Sequence, residues 1–514
     1  MSALALRRRW AQLEPGQDAI TIRVLASYTI DPLVPYLGVR AHDAGLDAKA
    51  VVGPLNQIVQ QCIDPRSEVA RSQPDVLVVA PRFEELGEGS LLEFADAAMA
   101  ATSRWGAYLL FVLPSLPEGA GLGVGDHGAA GGRIWTAVAA REAVRRRLAG
   151  LPNVGLADAE AAVRAVGARR AYHPTLFALA KIPYTEEVFA ELGGQLAAVL
   201  GTRFGPVVEA IVLDADSLLG VDGADVLGSV LPGVRRAGVR VAVRGSGDLA
   251  EVWPRIAAGL GESWRDCLDD WVVDDRALDV QLSDIAEQLG IELTGLALVV
   301  AGPRNAEPRV VELGDEPVAW PSELAASGIF DRAPVNLPGA ESEVVSASRP
   351  EAAMSLEDYV AGLDVQVDFR VGDRDAVPRL AESLIRTKDF TLGTVQSEHV
   401  LAERAAIGDI EIHLGRVRDR LGDYGEAVTI ALSHRDDLCV VSAFTVSCPV
   451  LGKGVEEAAL GRILDSARDR GCRTVVFERS DTGRNGLMTD FLDELPEDLF
   501  GLAVQLAPGS VAPQ

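Results

Sequence analysis

Residues 211–222, reading I-V-L-D-A-D-S-L-L-G-V-D, constrain this chain more than any other stretch. An aliphatic run that ends at once in an aspartate predicts a short buried strand. Its carboxyl end, where open α/β sheets place their ligands, would then carry Asp214. Asp216 follows two residues later at the same edge. Two carboxylates so placed suit phosphoryl transfer, with Asp214 attacking phosphorus and Asp216 protonating the leaving oxygen. D-x-D pairs are also common in ordinary loops, so the pair needs support from elsewhere in the chain.

The rest of the sequence supplies a matching frame. In residues 1–195, strand patterns at 21–27, 75–80 and 107–113 alternate with helical patterns at 32–44 and 136–148, with a glycine-rich loop at 117–132. Such alternation predicts an α/β sandwich on a largely parallel sheet. Residues 196–345 repeat it compactly: strands at 211–213, 239–243 and 296–300, helices at 224–237 and 278–289. The polar run 336–351 is the expected boundary. Residues 352–514 change character. Strands are expected at 365–370 and 428–433, a long antiparallel strand at 438–448, and helices at 376–386, 397–405 and 455–469. The fold class is therefore α/β, in three domains.

Composition narrows the partners. With 514 residues, 48% hydrophobic and 24% charged, the chain suits packed domains rather than disorder. A net charge of -27 argues against broad adhesion to nucleic acid or anionic membrane. Cysteines 62, 267, 439, 448 and 472 form neither a metal-ligand spacing nor a disulfide framework, so the cytoplasm is the expected compartment and no metal site is read from them. Arg7, Arg8 and Arg9 are not followed by a secretory apolar core, and no apolar run is long enough to span a bilayer.

Several separate stretches, in order, carry a resemblance. They are A-S-Y-T-I-D-P-L from Ala26, L-N-Q from Leu55, A-K-I-P-Y from Ala180, I-V-L-D-A-D-S-L from Ile211, G-D-Y-G from Gly422 and S-C-P-V-L-G-K-G-V-E-E from Ser447. Over nearly its whole length the chain resembles the FkbH-like proteins of polyketide pathways. The resemblance implies an SGNH-hydrolase-like α/β sandwich (1–195), a haloacid-dehalogenase (HAD)-like Rossmannoid parallel sheet (196–345) and a GNAT-like mixed α/β acyltransferase domain (352–514). It further implies a short acyl substrate and an acyl or peptidyl carrier protein bearing phosphopantetheine. Typical members are similar to enzymes that load a glyceryl group from 1,3-bisphosphoglycerate onto the carrier thiol.

This chain departs from the HAD pattern in each of its loops. Ser217-Leu218-Leu219 stands for Asn-Thr-Leu, and Arg244-Gly245-Ser246-Gly247 for a C-S-K-N-like run. Ser246 could replace the lost hydroxyl, while Arg244 stands where an acyl-carrying cysteine is expected. Asp274 replaces the charge-offsetting lysine, with Arg276 nearby, and Val300-Ala301-Gly302-Pro303 lacks the acidic pair that holds magnesium. Reversing one charge and removing the metal clamp predicts a domain without ordinary phosphatase activity. Magnesium belongs only to a compensated version of the glyceryl reaction.

Chemistry is then expected mainly in the last domain. Leu451, Gly452, Lys453, Gly454 and Val455 form a strand–turn–helix junction whose amides suit an anion. The resemblance implies phosphopantetheine there, although Pro449 stands for an arginine. Tyr424 is a candidate donor to a leaving thiolate, and Asp423 a candidate to orient the nucleophile. Cys448 is a candidate acyl acceptor, and Asn485 a candidate for substrate positioning. Lys388-Asp389-Phe390-Thr391 replaces an N-Q-F-N-like stretch, which implies a different substrate. Arg416, Arg418, Arg420 and Lys453 are candidate contacts for an acidic carrier. In the first domain, Ser27 fits the SGNH serine and Asn56 an oxyanion donor. His173 and Asp31 could handle protons, and Lys181 and Tyr184 could bound a groove. No G-x-S-x-G elbow is present. Carrier-dependent acyl transfer leads these readings, with the glyceryl reaction and a non-enzymatic pathway scaffold as alternatives.

Overall fold

The computed structural model describes residues 3–508 apart from 86–89, 120, 206, 219–225, 237, 261–267, 303–308, 330, 332–354, 373, 388 and 481–482. The expected boundary at 336–351 and Cys267 lie outside the described residues.

Three sheets follow one another along the chain. The first holds β1 (Ile20–Ala26), β2 (Ala48–Val52), β3 (Val76–Ala80), β4 (Tyr108–Leu113) and β5 (Val154–Asp158), in the order β2-β1-β3-β4-β5. The order reverses between β1 and β3, and the pairs β1–β3, β3–β4 and β4–β5 are parallel. Loops leaving β1 and β3 therefore diverge at their carboxyl ends and open a crevice. The glycine-rich stretch expected as a plain loop contains a short 3-10 helix, Gly123–Gly128.

The second sheet holds β6 (Ala210–Asp214), β7 (Arg240–Gly245), β8 (Asp270–Val273), β9 (Leu296–Ala301) and β10 (Arg309–Leu313), in the order β10-β9-β6-β7-β8. All its pairs are parallel. The aliphatic run of β6 explains its central place. Ile211 and Leu213 enter one core, Ala210 and Val212 the core on the other face, because successive side chains alternate across a sheet.

The third sheet is mixed. It holds β11 (Gln366–Gly372), β12 (Thr391–Leu392), β13 (Glu411–Asp419), β14 (Gly422–Arg435), β15 (Leu438–Val446), β16 (Thr474–Arg479), β17 (Asp498–Leu499) and β18 (Leu502–Pro508). Its path is β11-β13-β14-β15-β16-β18-β17. β15 was expected as a long antiparallel strand to residue 448. It is antiparallel to β14 but parallel to β16, and ends at Val446. β16 accompanies it only from Leu438 to Val441; farther on, β12 takes the edge, with Thr391 opposite Thr445 and Leu392 opposite Phe444. The helix Val377–Arg386 seats itself by its spacing, burying Val377, Leu380, Ala381 and Leu384 on one face.

Two compact units cut across this order. Met1–Ile20, Pro35–Lys49 and Ala190–Ala340 form one, which contains the second sheet. Thr21–Val34, Ala50–Phe189 and Glu341–Gln514 form the other, which contains most of the first sheet and all of the third. Inside this second unit, Arg420 grips both oxygens of Glu93 at 2.8 and 2.9 Å. Tyr359 and Leu363 share a core with Phe94 and Leu113.

Candidate functional site

Parallel register sets β7 beside β6 so that Arg244 pairs with Asp214. The consequence is a guanidinium in the middle of the aspartate pair. Arg244 Nη1 donates to the Asp214 carboxylate and, at 2.8 Å, to Asp216. Nε donates to Gln281 at 2.9 Å and Nη2 to the Ser246 hydroxyl at 3.2 Å. The side chains of Arg244 and Asp214 are 4% and 0% exposed. The Ser246 amide and hydroxyl both serve Asp216, at 3.1 and 2.8 Å. Burial pushes the Asp216 carboxyl up, but the Ser246 hydrogen bonds and the Arg244 charge outweigh it and hold the group below its ordinary value. A carboxyl kept ionised is poorly suited to protonate a leaving oxygen.

Arg276 does not reach this pair. It bridges Asp274 and Asp284 at 2.6 and 2.7 Å, and its hydrogen bonds hold the Asp274 carboxyl well below the usual range. Magnesium needs several oxygen ligands in an octahedral arrangement. Here a guanidinium lies on the two aspartates, the fourth loop offers no acid at Val300, Ala301 or Gly302, and no cluster of three metal-ligating residues exists among the described residues. The donor set does not fit magnesium. Pro303 lies outside the described residues.

In the third sheet, Gly452 and Gly454 adopt φ of 70° and 81°, a left-handed turn that glycine enters without steric cost and that launches the helix Val455–Asp469. One of the turn's amide donors is already engaged. Glu456, on the first turn, accepts from the Gly452 amide at 2.7 Å. Burial pushes its carboxyl up. Leu451 and Val455 are core residues. Lys453 was expected to offer a positive charge to a carrier, but its side chain is 1% exposed. Its ammonium donates to Asp419 at 2.8 Å and to the Tyr424 phenol at 2.7 Å. Neither the Gly452 amide nor the Lys453 ammonium is therefore open to a phosphate at the turn.

The inward lysine creates a polar cluster. Asp419, at the end of β13, accepts from the Leu421 and Gly422 amides at 2.8 and 3.1 Å and from the phenol of half-buried Tyr424 at 3.1 Å. Burial and the Asp419 charge raise the Tyr424 phenol, so it stays protonated; burial lowers the Lys453 ammonium. The other candidates do not converge here. Asp423 is exposed, paired with Arg416 at 2.5 Å, and caps the Gly425 amide. Arg418 pairs with Asp368 and Arg420 with Glu93, so the expected basic entrance is made of paired arginines. Cys448 donates to Asp389 at 3.6 Å, and burial together with that carboxylate pushes its thiol up to about 11, far from a ready nucleophile. Asn485 is buried, its carboxamide donating to the Thr391 and Ser480 carbonyls at 3.0 and 2.7 Å, which anchors β12. Lys388 lies outside the described residues.

At the crevice of the first sheet, the hydroxyl of buried Ser27 accepts from the Arg82 amide at 2.9 Å. The Arg82 guanidinium lies 4.5 Å over the Phe177 ring and donates to Glu118 at 2.6 Å. His173 uses Nδ1 to cap the helix Pro174–Ala180, at 3.2 Å from the Leu176 amide, and no hydrogen bond joins it to Ser27 among the described residues. Asp31 is exposed. Lys181 ends that same helix with φ of 55°, and Tyr184 is buried with its hydroxyl 2.9 Å from Ser115. Asn56 donates to the Pro449 carbonyl of the last domain at 3.4 Å. Sequence reasoning missed Asp419, Glu456, Arg82 and the part played by Arg244. Of these, only Arg244 carried a signal, a lone cation at the end of the strand pattern next to the aspartates.

No protein-family model matches the chain. No curated protein matches it either. Among solved structures, the chain is similar to the N-terminal part of the protein BF1531 from Bacteroides fragilis, described as containing a phosphatase domain and complexed with Mg. Identity is 12%, coverage is 65% of this chain and 99% of that one, and the TM-score is 0.53. A Trypanosoma brucei acetyltransferase matches 27% of this chain and 99% of its own at 13% identity, but with a TM-score of 0.19 that likeness carries no argument. At such identity the first likeness shows fold alone: a multi-domain α/β chain with a parallel sheet.

Proposed function

We propose that the chain transfers a short acyl group from a thioester presented by a carrier protein, at the Asp419–Tyr424–Lys453 cluster, and performs no phosphoryl transfer. The cluster carries this reading. A phenol kept protonated, held between a carboxylate and an ammonium and only partly buried, is suited to donate a hydrogen bond to a developing oxyanion or leaving sulfur. The Arg244 guanidinium on Asp214 and Asp216 argues against an acyl phosphate as donor. Glu456 on the Gly452 amide argues against a donor gripped by its pyrophosphate. The FkbH-like resemblance supports the carrier, and the SGNH-like and GNAT-like assignments remain part of the same reading.

The test follows carrier mass and phosphate release in parallel. With holo-carrier, magnesium and 1,3-bisphosphoglycerate, neither mass gain nor phosphate is expected; with acyl-loaded carrier and an amine or alcohol supplied as acceptor, the acyl group should pass to the acceptor and leave the carrier thiol free. Tyr424→Phe should lower kcat about 100-fold or more, the usual loss for one oxyanion donor, with the fold retained by circular dichroism. Glyceryl attachment with phosphate release would overturn the reading.

A second reading, a non-enzymatic pathway scaffold, is favoured by two contacts: Glu456 on the Gly452 amide, and β12 along the edge of β15 that β16 leaves open. Saturable carrier binding without any acyl movement would select it.

A further inference from the structure

Positive charge on this chain is carried mostly by arginine. Of its 48 lysines and arginines only four are lysines, at 49, 181, 388 and 453. Lys49 and Lys181 are exposed, whereas the Lys453 side chain lies inside the third sheet's polar cluster. The two cations differ in one respect: a lysine ammonium can give up its proton, while an arginine effectively never does. A buried ion pair alone needs no such group, as Arg244 with Asp214 shows.

Hydrogen bonds at the Tyr424 oxygen are unequal. Lys453 Nζ donates to it at 2.7 Å, the short end for a charged donor. The phenol's own proton is shared between Asp419 Oδ1 and Oδ2, each 3.1 Å away. Such O–H···O bonds ordinarily measure about 2.7–2.8 Å, so the proton on the phenol is held loosely and the one facing its oxygen tightly. Asp419 is itself fixed, by the Leu421 and Gly422 amides on Oδ1 and by the ammonium 2.8 Å from Oδ2. Phenols and ammonium groups ordinarily hold protons with similar strength. Here burial and the Asp419 charge raise the phenol, and burial lowers the ammonium. A phenolate formed beside Lys453 therefore takes the ammonium's proton.

We propose that Lys453 restores the proton that Tyr424 gives up, the two forming a relay that protonates the leaving sulfur. The thioester C–S bond breaks, its electron pair stays on sulfur, and the sulfur takes the phenol proton. The phenolate then takes a proton from the ammonium along the 2.7 Å bond, leaving a neutral amine beside Asp419. An amine or alcohol acceptor loses one proton as it attacks the carbonyl, and that proton returns through solvent to Lys453. The protons balance with no further reactant. Lys453 acts through Tyr424 rather than on the substrate. The relay rests on the acyl-transfer reading; the order in which the two groups lose their protons does not.

The first test titrates the full chain, with lysine labelled at 13Cε and tyrosine at 13Cζ. Loss of each signal in Lys453→Arg and Tyr424→Phe assigns it. Among the described residues, Asp419 and Tyr424 are the titratable groups bonded to Lys453, and Tyr359 acts on the phenol from farther off. As pH rises, the Lys453 signal should move before the Tyr424 signal; a phenol that ionises first overturns the proposal. The second test is kinetic. Lys453→Arg keeps a cation on Asp419 and Tyr424 but one with no proton to give. Its kcat for acetyl transfer from acetyl-loaded carrier to ethanolamine should fall about 100-fold. With S-(4-nitrophenyl) thioacetate, whose thiolate leaves unprotonated, the rate should stay close to that of the wild type. Equal losses on the two donors, or no loss on the carrier, overturn the proposal. Where Lys453→Arg lowers Tm, Lys453→Met with Asp419→Asn removes both charges together and carries the same expectation. If wild-type protein moves acetyl from neither donor yet Lys453 titrates first, the proton order stands and the acyl-transfer reading alone fails.

Discussion

Arg244 illustrates how one side chain can retire a site without unfolding it. Its guanidinium satisfies a carboxylate with no solvent exposure, and each depends on the other. Removing only one member of such a pair leaves an uncompensated buried charge. Arg244→Ala should therefore cost about 3–5 kcal/mol in urea denaturation. Arg244→Met combined with Asp214→Asn should recover most of that loss, because the charge to be compensated is gone. Neither variant should release phosphate from an acyl phosphate, since Val300, Ala301 and Gly302 still supply no acid for a metal. A single variant that gained magnesium-dependent turnover would contradict this account. The sequence showed that a cysteine and a lysine were missing here. It did not show that Arg244 would sit on Asp214, because that contact depends on two strands 30 residues apart lying in register.

Elements were legible where their causes are local. The helix at 455–469 was placed to the residue, because a left-handed Gly454 starts it and buried Val455, Ala459, Ile463 and Ala467 give it a four-residue period. β15 was found, but its parallel partner was not, since pairing with β16 follows from a crossover through that helix rather than from the strand's own residues. The first turn of the helix yields a pH prediction. Glu456 has its carboxyl raised by burial, so the folded chain binds its proton more tightly than the unfolded chain does. Its contribution to stability is full below the ordinary glutamate value and is lost as pH rises through the raised one. Glu456→Gln keeps an oxygen for the Gly452 amide and removes the charge. It should stabilise the protein at pH 7 by about 1.4 kcal/mol for each unit by which the carboxyl is raised, and the gain should vanish near pH 4. Paired melts of the two proteins across that range decide the matter; a gain that grows toward low pH would refute it.

At the scale of the whole molecule, the order of segments in the sequence and the grouping of segments in space differ. Three stretches of α/β pattern were readable because each sheet draws its strands from one continuous region. That two sheets would share a unit, with Asn56 reaching a carbonyl 393 residues away, was not readable from any local pattern. The unit around the second sheet also borrows from the amino terminus. Gly193 lies so close to Tyr36 that a Cβ there would sit 2.7 Å from the tyrosine Cβ, which marks tight packing between the helices Glu186–Phe204 and Leu33–Asp43. A fragment of residues 190–340 loses that partner. It should melt well below the full chain and bind a hydrophobic dye, and a fragment as stable as the full chain would show the grouping to be unimportant.

The interleaving of the two units also has a consequence for synthesis. Pro35–Lys49 leaves the ribosome early, but its companions at Ala190–Ala340 are made much later. At 5–20 residues per second, the wait is on the order of 15–60 s. During that interval aliphatic residues such as Leu37 and Val39, fully buried in the finished protein, have no completed unit to enter. Translation speed and chaperone supply, rather than the stability of the final fold, should then set how much of the chain a cell recovers in native form.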